Sequence, residues 1–323
     1  MEFFKNFFKL SRAYNLMFTL VSCFILYSYA HYVTTFNTVT FSVLVAIFCL
    51  IHLGANICND YLQVKERLQK GEKLSEIRFN GFLPKAELIL NKTFSISATR
   101  RIFNFLFVVS LGLALSLSLL ICWKIIFLFI IGIVMSVLDG FASKHYCSEI
   151  LSGLIFGPLM IMGGFYILIG GVEPRLLTLS FAVMFAVIAV SHAINIMNWE
   201  FDSADGRKTL ALAVGTKRNA LGLLNLFISI PYLIILVGVL SNEFNKTMLF
   251  VFLTLPIATK LISSMKEYVM VKNVEFKPRW YWGIFENWKA IKERGVDFYM
   301  FRVYLVRNYA ILFSIIAAIG VMI

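Results

Sequence analysis

Charge is scarce in this sequence. Lys, Arg, Asp and Glu together make up 15% of its 323 residues, against 59% that are hydrophobic, and the mean hydropathy is +0.81. That balance excludes a water-soluble enzyme and describes an integral membrane protein. Cysteine is sparse and unpatterned: Cys23, Cys49, Cys58, Cys122 and Cys147 are odd in number and include no CxxC pair, which argues against both a disulfide frame and a zinc site. The long apolar runs lack period-two alternation, so they are too long and too uniform for barrel strands. One glycine-bearing stretch, "SGLIFGPLMIMGG", lacks the Lys-Ser or Lys-Thr of a nucleotide loop. Its Gly153 and Gly157 suit close helix packing, and Pro158 suits a kink.

Hydrophobic runs are what the sequence has in abundance. Spanning a hydrocarbon core of about 30 Å takes roughly 20 apolar residues. Nine runs qualify, at approximately 13–33, 38–59, 102–122, 124–140, 147–170, 176–197, 219–240, 246–264 and 304–323. The expected fold is all-α: a polytopic membrane protein whose nine transmembrane helices bundle around a cytoplasm-facing cavity, with residues 1–323 forming a single transmembrane domain. A basic start precedes the first run, but the run is long and no clear cleavage site follows, so it is read as a span and not as a signal peptide.

A net charge of +12 invites a nucleic-acid partner, yet the basic residues occupy alternate loops. Lys5, Lys9 and Arg12 precede the first run, a dense set lies between 62 and 101, and Lys144 follows the fourth run. Arg207, Lys208, Lys217 and Arg218 follow the sixth, and another dense set lies between 266 and 307; Lys124, Arg175 and Lys246 belong to the opposite loops. This is the positive-inside pattern. It replaces nucleic acid by a lipid bilayer, and it places the N-terminus in the cytoplasm and the C-terminus on the opposite side. Three cytoplasmic segments are long: 62–101, 198–218 and 265–303. The last holds "FKPRWYWGIFENWKAIKERG", where aromatics and charges mix as in a helix lying at the interface, either as an anchor or as part of a lid.

Two near copies of one phrase end the second and sixth runs. In "NICNDYLQ" at 56–63 and "NIMNWEFD" at 195–202, Asn56 and Asn195, Ile57 and Ile196, and Asn59 and Asn198 are in step, which suggests two related halves. At 100° per residue, Asn56, Asn59, Asp60, Gln63 and Arg67 fall within an arc of about 100°, and Asn195, Asn198, Asp202 and Asp205 within about 80°. Polar groups at this depth are costly unless they face a partner or a wet cavity, so the two stripes are expected to look at each other across the bundle interior. Asn alone would serve as glue between helices. Carboxylates and carboxamides together make an oxygen-rich site for a hard cation such as Mg²⁺, which works with substrate phosphates and retained water. Arg78, Lys144, Arg207 and Lys208 are near enough in sequence to hold the phosphate oxygens that the metal leaves free.

These motifs resemble those of the UbiA superfamily of intramembrane prenyltransferases, whose members have nine transmembrane helices and two aspartate-rich motifs, approximately NDxxDxxxD after the second helix and DxxxD after the sixth. "NICNDYLQVKER" is similar to the first, and "NIMNWEFDSADGRKTLALAVG" to the second with its trailing GKxTLAxxxG. "SEILSGLIFGPLMIMGG" resembles the family's fifth helix, with Glu149 where a Glu is usual, and "RFNGFLP" the segment between the second and third helices. "NDY" and "GRKTLA" lean toward the branch that prenylates naphthoquinone precursors. The resemblance implies a Mg²⁺-dependent transfer of a polyprenyl group from polyprenyl diphosphate to a small aromatic or lipidic acceptor. The metal and basic residues stabilise diphosphate as the allylic C–O bond breaks, and a nucleophilic carbon of the acceptor captures the carbocation. Together with the stripes, it implies Asp60 and Asp202 as catalytic residues and Asn59, Asp60, Gln63, Asn198, Asp202 and Asp205 as metal ligands. The diphosphate-binding set is then Asn56, Arg67, Arg78, Lys144, Asn195, Arg207 and Lys208.

The sequence also departs from the family pattern. Gln63 and Arg67 stand where the first motif has its second and third Asp, and Asn198 replaces the first Asp of the second motif. Three negative charges are lost and Arg67 adds a positive one, so two cations are harder to retain than one. Glu66, Glu200 and Asp205 are the available substitutes, and Asp205 lies best on its stripe. An isoprenoid cyclase or a non-catalytic isoprenoid-binding protein is the alternative within the family. A transporter fits less well, because the outer halves of the second and sixth runs lack polar residues. His52 and His192, each one turn before its phrase, pose a bis-His haem, although a single His per helix is more often a hydrogen-bonding group. Asp139, near the cytoplasmic end of the fourth run, either faces the cavity or reaches the headgroups.

Overall fold

The computed structural model describes residues 2–77, 82, 86–142, 145–270 and 288–323, with residues 140 and 141 as backbone alone. Its first helix, α1 (Glu2–Leu10), is followed by a 3₁₀ turn at Ala13–Asn15 and then α2 (Leu16–Val33). Arg12, between them, takes a left-handed backbone at φ 49° and turns the chain from α1 into α2. Asn37 caps α3 (Thr38–Gln69) by accepting the amides of Val39 and Thr40, satisfying donors that the helix itself cannot. Its 32 residues are roughly 48 Å long, well beyond a hydrocarbon core of about 30 Å.

The charged stretch after residue 61 therefore continues the helix out of the apolar run, through the Gln63 and Arg67 that the sequence places on its polar stripe. Lys, Glu, Arg and Gln are good helix formers, and Glu66 and Lys70 pair at 3.0 Å one turn apart, which adds to that preference. Gly71, at φ 88°, ends the run, since a left-handed backbone suits glycine.

A single turn, α4 (Glu87–Leu90), precedes α5 (Ile96–Leu120), which Ser95 caps. Next come α6 (Ile125–Ala142), α7 (Ser148–Leu154), a π-helical turn at Ile155–Leu159, and α8 (Met160–Ile169). Then follow α9 (Pro174–Met197), α10 (Trp199–Ala204), α11 (Leu210–Ala213) and α12 (Lys217–Leu240). A 3₁₀ stretch at Lys246–Thr254 runs into α13 (Leu255–Met270), and α14 (Trp288–Glu293) and α15 (Asp297–Met322) close the chain. Among the described residues, eight helical spans are long and apolar enough to cross a membrane, while Ile125–Asp139, in the place of the expected fourth span, is a shorter apolar helix. No strand occurs among the described residues. Most of the aromatic segment proposed as anchor or lid lies outside the described residues.

At the centre is α9, packed against α7, α8, α12, α15 and the π turn. Its Ala182, Ala186, Ala189 and Ala193 are fully buried. Lipid is as apolar as a leucine side chain, so helices in a membrane gain mainly from close packing, and small residues permit it. Backbone meets backbone at Gly157, where a Cβ would lie 2.6 Å from the Ser180 carbonyl oxygen. Pro158 lacks the N–H of a regular helix, and the chain accommodates it by the wider π turn, a feature common at functional sites. Ser22 of α2 donates to the Phe156 carbonyl within that turn at 2.6 Å.

Candidate active site

A cavity of about 330 Å³ opens between α2, α3, α6, the α7–α8 helix and α9. Arg12, Asn15, Asn56 and Asn59 form one polar wall and Ser136, Asp139, Ser152 and Ser191 another. Phe48, Phe129, Phe156, Met160 and Val187 line its apolar part. The widened π turn supplies Ile155, Phe156 and Leu159 to this lining, so the helix irregularity shapes the wall.

The first phrase keeps its helical register because α3 runs straight through it. Asn56 and Asn59 reach the cavity. Asn56 donates to the Ser11 carbonyl at 2.9 Å, and Gln63 donates to Asn59 Oδ1 at 2.8 Å. Asp60, 4% exposed, forms an ion pair with Arg12. Arg67 turns away: its guanidinium meets Glu72 at 3.1 Å and it is absent from the cavity lining. Arg67 lies about two turns beyond Asn59 on α3, and its partner Glu72 follows the glycine that ends the helix.

The second phrase is arranged differently. Asn198 separates α9 from α10 at φ −89° and ψ 12°, so a single straight-helix arc does not describe residues 195 to 205. From α9 it is Val187, Val190, Ser191 and Ile194 that line the cavity. Asn195 turns toward α7 and donates to Glu149 Oε1 at 2.8 Å. Asp202, 1% exposed, accepts from Arg207 at 2.7 Å. Asn198 is buried and its Oδ1 has no hydrogen-bond partner. Asp205 ends α10. Lys208 is exposed, with its ammonium 5.9 Å from the Tyr146 ring centre, and is not a lining residue. Arg78 and Lys144 lie outside the described residues.

Glu149 is the hub of this second region. It is fully buried, and its Oε1 accepts from both Asn195 and the Leu210 backbone amide, at 2.8 and 2.9 Å. His192 Nδ1 lies 3.8 Å from the same oxygen, while its Nε2 contacts the Ala220 carbonyl at 3.0 Å. His52 bonds instead to Thr19 Oγ1 at 2.6 Å, so the two histidines serve different helix pairs. Tyr146 N–H donates to the Lys208 carbonyl at 3.0 Å. Together these bonds fasten the segment after α10 onto the start of α7.

Sequence reasoning missed Arg12 as a site residue, counting it only among the cytoplasmic charges. Nothing local marks it, since its partner is 48 positions away. Among the substitutes weighed for the lost carboxylates, Glu66 pairs with Lys70 and Glu200 with Lys217.

Comparison with known proteins supplies the lineage. Residues 15–269 match the UbiA prenyltransferase family. Over 233 residues the chain is 25% identical to the 1,4-dihydroxy-2-naphthoate octaprenyltransferase of Bacillus subtilis (strain 168), covering 68% of each. In structure it is similar to a UbiA homologue from Aeropyrum pernix K1, with TM-score 0.59, 14% identity, and 95% of this chain and 97% of that one covered. It is also similar to a UbiA homologue from Archaeoglobus fulgidus bound to DMAPP and Mg²⁺, with TM-score 0.57, 13% identity, and 93% and 97% covered. At such identities the structural likeness speaks for the fold. The match in sequence, extending over most of the spans, means that the chain belongs to the UbiA prenyltransferase family.

Proposed function

We propose that this protein is an intramembrane prenyltransferase that moves a polyprenyl group from polyprenyl diphosphate to a small aromatic acceptor, with release of diphosphate. One observation carries the proposal: a single cavity joins a polar wall bearing Arg12, Asn56 and Asn59 to an apolar, aromatic interior. A prenyl diphosphate needs those two surfaces in that continuity, charged head against one and hydrocarbon tail against the other. The Bacillus subtilis relative is named for a naphthoate, which favours an aromatic acceptor over a lipid.

The oxygen donors present fit Mg²⁺. Among the described residues no three His, Cys, Asp or Glu side chains converge, but Mg²⁺ is commonly held by one or two carboxylates together with substrate phosphates and water. The buried Oδ1 of Asn198, without a hydrogen-bond partner, is a hard oxygen left for a cation. Asn198 and Asp202 of the second phrase, and Asn59, Asp60 and Gln63 of the first, are assigned to the ion, with Asp205 as an auxiliary. Bound there, Mg²⁺ supplies charge neutralisation of the leaving diphosphate. Arg12 and Arg207, which sit on Asp60 and Asp202, pass to phosphate oxygens when substrate enters, since guanidinium groups bind phosphate with charge-assisted bonds. Asn56 and Asn195 hold the two sides in place.

The chain acts as one unit with its N-terminus in the cytoplasm and its C-terminus on the opposite side. The one-sided Lys and Arg support that orientation, and the Arg12–Asp60 pair brings the N-terminal segment to the charged end of α3. Labelling of single cysteines introduced near each terminus, in sealed vesicles, tests it. Activity is tested with purified protein, Mg²⁺, prenyl diphosphates of increasing length and 1,4-dihydroxy-2-naphthoate. Acceptor-dependent diphosphate release is the expected result. Release without acceptor indicates a cyclase or hydrolase, and thermal stabilisation by the diphosphate without turnover indicates a binding protein.

A further inference from the structure

The second polar wall of the cavity is not used by the scheme above. It contains Asp139, a carboxylate on an otherwise uncharged helix, α6, together with Ser136, Ser152 and Ser191. Ser152 of α7 donates to Asp139 Oδ1 at 3.1 Å. Ser152 is its hydrogen-bond partner among the described residues, and the second carboxylate oxygen has no protein donor there. A carboxylate at membrane depth is costly unless it meets a partner or a wet cavity. Asp139 meets both, being tethered by Ser152 and placed in the cavity wall.

The chemistry of that wall differs from the diphosphate wall. Without a metal ion between them a carboxylate repels a diphosphate, and it repels a carboxylate group on an acceptor as well. Hydroxyls, by contrast, are donors that an ionised Asp accepts strongly, with a charge-assisted bond. We infer that Asp139 is the acceptor-recognition residue of this cavity, its free oxygen receiving a hydrogen bond from a ring hydroxyl of the prenyl acceptor. The inference rests on the transferase proposal for the acceptor's role, and it deepens it: the acceptor is a hydroxylated ring, held through its hydroxyl by Asp139. A hydroxyl bonded to a carboxylate also feeds electron density into its ring, which favours attack by a ring carbon on an allylic cation.

The test uses the full-length protein in detergent, geranyl diphosphate, Mg²⁺, 1,4-dihydroxy-2-naphthoate and the dimethyl ether of that naphthoate, in which no ring hydroxyl remains. Asp139→Asn is nearly isosteric, and it is expected to raise the KM for the dihydroxy acceptor on the order of tenfold or more. The KM for geranyl diphosphate and the Mg²⁺ requirement stay within about twofold, since neither depends on a hydrogen bond of this size. Asp139→Glu recovers part of the loss. Ser152→Ala, which releases the tether without removing the acceptor oxygen, gives a smaller rise in the same KM. The ether binds poorly to the wild type and no worse to Asp139→Asn. Equal losses for hydroxylated and methylated compounds, or a shift in donor KM or Mg²⁺ requirement instead, overturn the inference and return Asp139 to helix packing or to the metal. Equilibrium binding of the two naphthoates by thermal shift separates this inference from the transferase proposal. Binding of the dihydroxy compound that is lost in Asp139→Asn upholds the inference even where the wild type shows no turnover, and absence of binding to the wild type overturns it.

Discussion

Arg12 and Asp60, 48 positions apart in sequence, form an ion pair at the edge of the cavity that Arg12 lines. An identical pairing of types recurs at Arg207 and Asp202, so each of the two motif carboxylates carries an arginine. Arg12→Ala removes one phosphate ligand and is expected to raise the KM for prenyl diphosphate by about tenfold, the size of a lost charge-assisted bond. Arg12→Lys restores charge without the fork and recovers only part. Steady-state diphosphate release against donor concentration measures both.

On the proposed assignment, removing the carboxylates acts on the chemical step. Asp60→Ala and Asp202→Ala are each expected to lower Mg²⁺-dependent diphosphate release by about a hundredfold or more, as for other groups that stabilise developing charge. Asp202→Asn, which keeps an oxygen, loses less and needs more Mg²⁺. A Mg²⁺ titration of the three variants checks the order. Unchanged rates in either alanine variant count against the assignment of the ion.

Glu149 is a matter of stability as well as placement. Alanine there leaves the Asn195 amide and the Leu210 N–H without an acceptor inside the protein. The expected cost is on the order of 2 kcal/mol or more, because buried donors without acceptors lose their hydration uncompensated. Glu149→Gln keeps one acceptor oxygen and unfolds between the wild type and Glu149→Ala. Thermal midpoints in one detergent compare the three.

Two glycines separate packing from cavity volume. Gly157→Ala pushes a methyl to 2.6 Å from the Ser180 carbonyl oxygen, a backbone atom that cannot swing aside, and is expected to destabilise by about 1–3 kcal/mol. At Gly163, a cavity residue, a Cβ meets nothing within 4 Å. Gly163→Leu is expected to leave the thermal midpoint nearly unchanged and to shorten the longest prenyl diphosphate accepted. Product lengths from a mixed pool of donors decide it.

The membrane class, the positions of the apolar helices and the two phrases follow from the sequence alone, because hydrocarbon admits only satisfied backbones and long apolar runs. Charge asymmetry adds an expected orientation by an equally local rule. The register of the first phrase was legible for a similar reason, since one unbroken helix carries it and 100° per residue holds. At the second phrase that arithmetic fails where α9 gives way to α10 at Asn198. Tertiary structure alone decided that Asn195 turns to Glu149, that Arg67 leaves for Glu72, and that Arg12 joins Asp60. It also decided that Asp139 lines the cavity. These are contacts between segments distant in sequence. They depend on which helix faces which at what rotation, a choice made by close packing of small residues along α9, and not by the period or composition of any single run.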